Sequence, residues 1–187
     1  MSASTSGTHD RILRHARGYL ELGELLADGE GPPAAAARTV LHRCLEEIAR
    51  LPDGVRERSV VRLVEGEALR ALGEYSAALT PLASAVATQP RHVEAWLGLG
   101  WCLKRLGRLD AAIAALRRGL EAVPEEAILL YNLACYHALA GDVPSAIDHL
   151  SRAIALDDRF RDLTGSEPDF DAIRTDPRFV AATCLIA

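Results

Sequence analysis

The sequence has no close pair of cysteines and no long apolar run, and each absence excludes a class of protein. Its four cysteines, Cys44, Cys102, Cys135 and Cys184, are far apart and form no C-x-x-C pair, which argues against a disulfide-stapled secreted domain. No apolar run reaches the roughly 18 residues of a membrane-spanning helix, and residues 1–8 lack the pattern of a signal peptide. We therefore expect a cytoplasmic protein with reduced thiols that neither spans nor binds a membrane.

Concentrated positive charge is also missing. The 21 basic and 26 acidic residues are mixed along the chain and give a net charge of −5, so we expect no nucleic-acid partner. The six histidines do not cluster, and no zinc-protease, phosphate-loop or serine-hydrolase motif occurs. The sequence therefore predicts no catalytic residue, no metal site and no cofactor, and an enzyme is disfavoured.

What the sequence does contain is an internal repeat. Ala78, Ala112 and Ala146 recur at intervals of 34 residues, and other apolar positions recur with them. Each repeat has an apolar helical pattern, then a glycine that can end a helix in the left-handed conformation, then a second helical pattern. We interpret each repeat as a helical hairpin.

The middle repeat carries a recognisable motif. It reads Trp96-x-x-Leu99-Gly100-x-x-Leu103, followed by Ala112-x-x-x-Leu116-x-x-Gly119 and Pro124. This motif resembles a tetratricopeptide repeat (TPR). The resemblance implies an all-α fold, a right-handed α-α superhelix of helical hairpins that forms a TPR solenoid, with regular repeats at 59–90, 93–124 and 127–158.

The regions outside the regular repeats are less periodic. Residues 1–9 are expected to form a disordered tail. We interpret residues 10–51 as a divergent helical pair at the start of a TPR domain covering 10–158, either a fourth repeat with a turn lengthened at 29–33 or a plain capping hairpin. Residues 159–187 are expected to cap the open end of the repeats and to finish in a short helix after Asp176-Pro177. Similar tails occur in bacterial TPR proteins, which favours a bacterial origin.

The resemblance also implies where a ligand would bind. One stripe of each first helix packs against its neighbours, and in TPR proteins a second stripe lines a concave groove. Trp101 lies on that second stripe, and a large rigid aromatic of this kind is a frequent anchor in protein interfaces. The expected groove is apolar in the middle and charged toward one side, and its residues are Leu63, Glu67, Arg70, Leu97, Trp101, Lys104, Tyr131, Asn132 and Cys135.

Two functions are compatible with this pattern. The first is a non-catalytic interaction module, an adaptor, scaffold or co-chaperone-like protein that binds a peptide or partner protein in the groove. The second is a self-assembling structural protein, in which the groove is filled by a second copy or by the chain's own C-terminal segment through Phe170, Ile173 or Phe179. A clamp for a partner's terminal carboxylate is not present as a set, because only Asn132, Arg70 and Lys104 could contribute.

Overall fold

The computed structural model describes residues 2–27 and 32–184, and it gives side-chain environments from residue 6 onward. All regular secondary structure in these two ranges is helical, which confirms the all-α prediction. The chain divides into two compact units, Met1–Leu106 and Gly107–Ala187.

Among its described residues, the N-terminal unit contains two helical hairpins and two further helices. The bounds are α1 Ser2–Leu26, α2 Ala35–Ala49, α3 Asp53–Arg56, α4 Ser59–Ala71, α5 Tyr75–Thr88 and α6 Val93–Arg105. Helix α1 packs along α2, and α4 packs along α5, so both pairs are helical hairpins. Helix α6 packs against α4 and α5, while α1 and α2 also contact α4.

A shared apolar core joins the first hairpin to the first regular repeat. It includes Ile12 and Ala16 of α1, Cys44 and Ile48 of α2, and Val61 of α4, all of which are buried. Because residues 10–51 bury their apolar face against α4, the divergent pair is an integral part of the N-terminal unit.

One close approach in this unit depends on a missing side chain. A Cβ built on Gly66 of α4 would lie 2.5 Å from Cγ of Leu82 on α5, much closer than van der Waals contact. Leu82 is fully buried. The absence of a side chain at Gly66 therefore sets how closely the two helices of this hairpin pack.

The C-terminal unit contains one further helical hairpin flanked by other helices. The bounds are α7 Leu109–Ala122, α8 Ala127–Leu139, α9 Val143–Leu156, α10 Arg159–Leu163, a 3₁₀ helix Pro168–Ile173 and α11 Pro177–Thr183. Helix α8 packs against α7, α9 and the 3₁₀ helix, and α11 packs against α9. The carboxylate of Asp176 accepts a hydrogen bond from the backbone N–H of Arg178 at 2.8 Å, so the predicted helix start at Asp176-Pro177 is confirmed.

The glycine breaks have the predicted conformation. Gly73, Gly107 and Gly141 have φ angles of +82°, +72° and +76°, and each lies just after the end of a repeat's first helix. A side chain at such a φ would be strained. The glycines therefore explain why three helices of similar length end at equivalent positions.

The chain's beginning differs from the expectation. Residues 1–9 are predicted as a disordered tail, whereas α1 begins at Ser2. The physical reason is that extending an existing helix requires no new nucleation, so small polar residues can continue it at little cost. The lengthened turn predicted at 29–33 lies partly outside the described residues, and whether residues 10–51 are a true repeat stays a prediction.

Candidate functional site

A cleft in the N-terminal unit brings together part of the predicted groove. Its volume is about 620 Å³. It lies at the C-terminal ends of α1, α4 and α6 and at the start of α5. The lining residues are Glu24, Ala27, Pro32, Pro33, Arg70, Ala71, Leu72, Gly73, Tyr75, Trp101 and Arg105.

Two aromatic rings form one wall of this cleft. Trp101 of α6 is half-buried, and the ring of Tyr75 meets it edge to face, with centroids 5.1 Å apart and planes at 81°. This edge-to-face geometry is favourable because the positive ring edge meets the negative ring face. Tyr75 is the first residue of α5, two residues after Gly73, so the turn places its ring beside α6.

Two arginines contact the aromatic wall. Cζ of Arg70 lies 5.3 Å from the ring centroid of Trp101. Cζ of Arg105 lies 5.4 Å from the centroids of both Trp101 and Tyr75. At these distances a guanidinium is attracted to the ring face by a cation–π interaction. Arg105 reaches the ring because it follows Trp101 by four residues, one helical turn later on α6.

The two arginines differ in their electrostatic environment. Arg70 donates hydrogen bonds to Glu24 at 2.9 Å and to Glu67 at 2.5 Å, so its charge is matched by two carboxylates. Burial raises the pKa of Glu67, while Arg70 acts in the opposite direction. A Cβ on Gly98 of α6 would collide with the carboxylate of Glu67. The absence of a side chain at Gly98 therefore makes room for that carboxylate.

Among the described residues, Arg105 has no such carboxylate. Its side chain is exposed, and in the part of the chain that the structure describes its contacts are the two cation–π interactions, without a hydrogen bond or an ion pair. Within the described residues, the cleft therefore contains one guanidinium that is paired with carboxylates and one whose contacts are the two aromatic rings.

The structure places only part of the predicted groove at this cleft. Arg70 and Trp101 line it, and Glu67 contacts Arg70 beside it. Leu63, Leu97 and Lys104 are half-buried on α4 and α6 and are not among its lining residues.

The remaining predicted residues lie on α8 in the C-terminal unit, where the sequence leaves open whether the groove is free or covered by the chain's own C-terminal segment. Tyr131 is only 5% exposed. Its ring stacks on Phe160 at 4.8 Å and meets Phe170 edge to face at 5.7 Å. The chain's own C-terminal segment therefore covers this position, because its aromatic residues gain more from burial than from exposure to water.

The neighbours of Tyr131 are also engaged. Cys135 is buried, and Nδ2 of Asn132 donates a hydrogen bond to the carbonyl of Ile128 at 2.9 Å, within its own helix. Cys135 is therefore not exposed to a ligand, whereas Asn132 is half-buried and stays a predicted site residue.

Sequence reasoning missed three functional candidates, Glu24, Tyr75 and Arg105. Arg105 could have been found, since its spacing of one turn from Trp101 is visible in the sequence. Tyr75 and Glu24 could not, because Tyr75 belongs to a second helix and Glu24 to the non-periodic first hairpin.

Within residues 2–27 and 32–184, no group of three or more histidine, cysteine, aspartate or glutamate side chains is placed to hold a metal ion. In the same residues no helix has both the length and the apolar character needed to cross a bilayer. Burial raises the pKa of the Cys44 and Cys102 thiols to about 12, so neither is a nucleophile at neutral pH.

Stacked helical hairpins with a recurring pattern define the class of helical-repeat proteins. The family model for the tetratricopeptide repeat matches residues 63–124 and 103–159. The chain belongs to the tetratricopeptide repeat family, whose members are generally non-catalytic interaction modules.

This chain is also similar to the following proteins, of which the two solved structures support its fold alone. Anaphase-promoting complex subunit 3 of Schizosaccharomyces pombe is 29% identical over 96 residues, which is 51% of this chain but 14% of that protein. The crystal structure of YrrB, a TPR protein with an unusual peptide-binding site, has a TM-score of 0.52 at 24% identity, covering 65% of this chain and 59% of that one. A crystal structure of MamA has a TM-score of 0.60 at 16% identity, covering 90% and 91%.

Proposed function

We propose that this chain is a non-catalytic adaptor or scaffold module that binds a peptide segment of a partner protein in the cleft at Trp101. The observation that carries the proposal is the half-buried Trp101, packed edge to face with Tyr75 and flanked by two arginines at a cleft of about 620 Å³. Peptide ligands are commonly anchored by such aromatic and arginine side chains. The cytoplasmic and bacterial setting expected from the sequence is part of this proposal.

The proposed site is smaller than the groove expected from the sequence. Glu67, Arg70 and Trp101 form its centre, and Leu63, Leu97 and Lys104 extend it on the same two helices. Tyr131 and its neighbours on α8 are left out, because the C-terminal segment covers Tyr131. The peptide-binding site of YrrB is consistent with a ligand of this class.

The test compares Trp101→Ala with a matched control in recovery of partner proteins from a native lysate. Removing an interface anchor costs about 2 kcal/mol or more, so we expect recovery of specific partners to fall by about tenfold or more. Leu25→Ala is the control, because Leu25 is a highly exposed apolar side chain of the same unit that does not line the cleft. Unchanged recovery with Trp101→Ala, in a variant that keeps its helical content, would contradict the proposal.

Self-assembly is the second candidate, and one observation favours it. The C-terminal segment of this chain already occupies the face of α8 at Tyr131, so the fold does fill part of the predicted groove with its own residues. A second copy could fill the cleft at Trp101 in the same manner. Sedimentation velocity over a range of concentrations tests this idea, and a monomer at every concentration would eliminate it.

A further inference from the structure

We propose that the ligand of the Trp101 cleft is an acidic peptide segment, whose carboxylate binds Arg105 and whose neighbouring apolar side chain packs against Trp101 and Tyr75. This inference rests on the proposed function and specifies the chemistry of its partner. Three features of the cleft support it, namely the absence of hydrogen bonds from Arg105 among the described residues, the distribution of charge and the apolar lining.

The first feature is that the contacts of Arg105 leave its donors available. A guanidinium carries five N–H donors in a planar fork that matches a carboxylate. Arg105 is held over two rings and donates no hydrogen bond within the described residues. A carboxylate can therefore approach this fork and accept two parallel hydrogen bonds without displacing an existing partner.

The second feature is that, among the described residues that line the cleft, the positive charge without an acidic partner is that of Arg105. Arg70 is paired with Glu24 and Glu67, and Glu24 also lines the cleft. A single guanidinium matches the single negative charge of an aspartate or glutamate side chain. A phosphate group carries up to two charges, so Glu24 would repel it more strongly. The local charges therefore favour a carboxylate over a phosphopeptide.

The third feature is the apolar surface beside Arg105. Pro32, Pro33, Ala71 and Leu72 line the same cleft as the two aromatic rings. Its volume of about 620 Å³ lies within the roughly 300–1,000 Å³ of pockets that bind small ligands or parts of peptides. An apolar residue next to the acidic one would bury its side chain there, which gives the cleft two recognition elements.

The test selects a displayed library of random peptides on the immobilised wild-type chain and on three variants. Arg105→Gln removes the charge and the fork of donors, and Arg105→Lys keeps only the charge. Arg91→Gln is the matched control, because Arg91 is an exposed arginine of the same unit away from the cleft. A selected peptide and its copy with asparagine or glutamine in place of the acidic residue are then titrated against each protein.

The expected result is enrichment of an acidic residue beside an apolar one. A charge-assisted hydrogen bond to arginine makes us expect the neutral copy to bind the wild type about tenfold more weakly. This difference should vanish in Arg105→Gln, shrink in Arg105→Lys and persist in Arg91→Gln.

The other outcomes separate the two proposals. Enriched peptides without an acidic preference, or a preference that survives Arg105→Gln, would overturn this inference and leave the proposed function standing. Tighter binding of a copy with phosphoserine at the acidic position would also overturn it, in favour of a phosphopeptide. A library with no enriched peptide would contradict the proposed function itself. A wild-type dimer that Arg105→Gln dissociates would identify a second copy as the occupant.

Discussion

At the scale of single residues, Tyr131 combines good packing with an unsatisfied polar atom. Its ring lies against Phe160 and Phe170, while its buried hydroxyl has no hydrogen-bond partner within the described residues. Burying such a hydroxyl costs about 1–3 kcal/mol. Tyr131→Phe keeps the ring and removes that cost, so we expect the free energy of unfolding to stay the same or rise by about 1 kcal/mol.

Tyr131→Ala is the contrasting variant. It removes the ring and leaves a cavity, so we expect the free energy of unfolding to fall by about 3–5 kcal/mol. Urea denaturation followed by circular dichroism measures both changes. A large loss of stability in Tyr131→Phe would show that the hydroxyl does have a partner in solution.

The predictability of single residues depended on whether their contacts were local. The pairing of Arg62 with Glu65, three residues apart on one helix, is visible in the sequence and is observed at 2.8 Å. For Tyr131 the sequence offered two alternatives, a groove open to a ligand or one covered by C-terminal residues that include Phe170. It could not decide between them, because Phe160 and Phe170 lie outside the repeat and follow no period. The contact of Tyr75 with Trp101 could not be predicted either, because it joins two helices.

At the scale of secondary-structure elements, the hairpin of α4 and α5 depends on the small size of Gly66. Gly66→Ala would push a methyl group into Leu82, so we expect the free energy of unfolding to fall by about 1–3 kcal/mol. In the double variant with Leu82→Ala the new methyl group has room, so the two losses should be less than additive. Thermal and urea denaturation of the single and double variants provide the measurement.

Gly18→Ala is the matched control for Gly66→Ala. Gly18 lies inside α1, and a Cβ there would meet no atom within 4 Å. The same substitution should therefore raise stability, by about 0.5–1 kcal/mol, because alanine is the better helix former. Equal effects of the two substitutions would show that helix propensity, and not close packing, determines the outcome at Gly66.

The helices of the regular repeats were the most predictable elements. Ser59, Val93 and Ala127 begin the first helices of the repeats, at the positions where the predicted repeats start. Each of these helices has an apolar stripe and a glycine after its end, so pattern and turn chemistry agree. Helix α10 and the 3₁₀ helix lack this combination of apolar stripe and terminal glycine. Their positions are determined by the burial of Phe160 and Phe170.

At the scale of the whole molecule, family membership and candidate site follow from different kinds of evidence. The family follows from positions that every repeat shares, which the period makes visible. The candidate site depends on departures from the repeat, such as Trp101 at a groove position and Arg105, which has no acidic partner among the described residues. Residues that depart from the repeat pattern do not recur along the sequence. The sequence therefore predicts where a site can lie but not which side chains surround it.

A further departure makes the stability of the whole chain depend on pH. The buried His137 stands where the two preceding repeats have Leu69 and Leu103. Its ring stacks on His149 of α9 at 5.2 Å. Nδ1 lies 3.3 Å from the carboxylate of Asp142 in the α8–α9 turn, and Nε2 lies 3.3 Å from a guanidinium nitrogen of Arg117 on α7.

The pKa of His137 gives the direction of this pH dependence. Burial lowers the pKa of His137 below its ordinary value, His149 and Arg117 lower it further, and Asp142 opposes the shift. Above the ordinary pKa of about 6.5 the ring is neutral in both folded and unfolded chains, and the full stability is present. As the pH falls below 6.5, His137 takes up a proton in the unfolded chain, whereas in the folded chain it does so only below its own, lower pKa. The unfolded state is therefore favoured and stability is lost.

His137→Leu, which restores the residue of the other two repeats, should remove this loss. Between about pH 7.5 and 5.5, the free energy of unfolding should fall more in the wild type than in the variant, by up to about 1.4 kcal/mol per pH unit below 6.5. Urea denaturation across this range measures the difference. His15→Gln, which removes an exposed histidine of α1, is the control and should keep the wild-type dependence. Parallel pH profiles of wild type and His137→Leu would mean that His137 takes up its proton equally in the folded and unfolded chains.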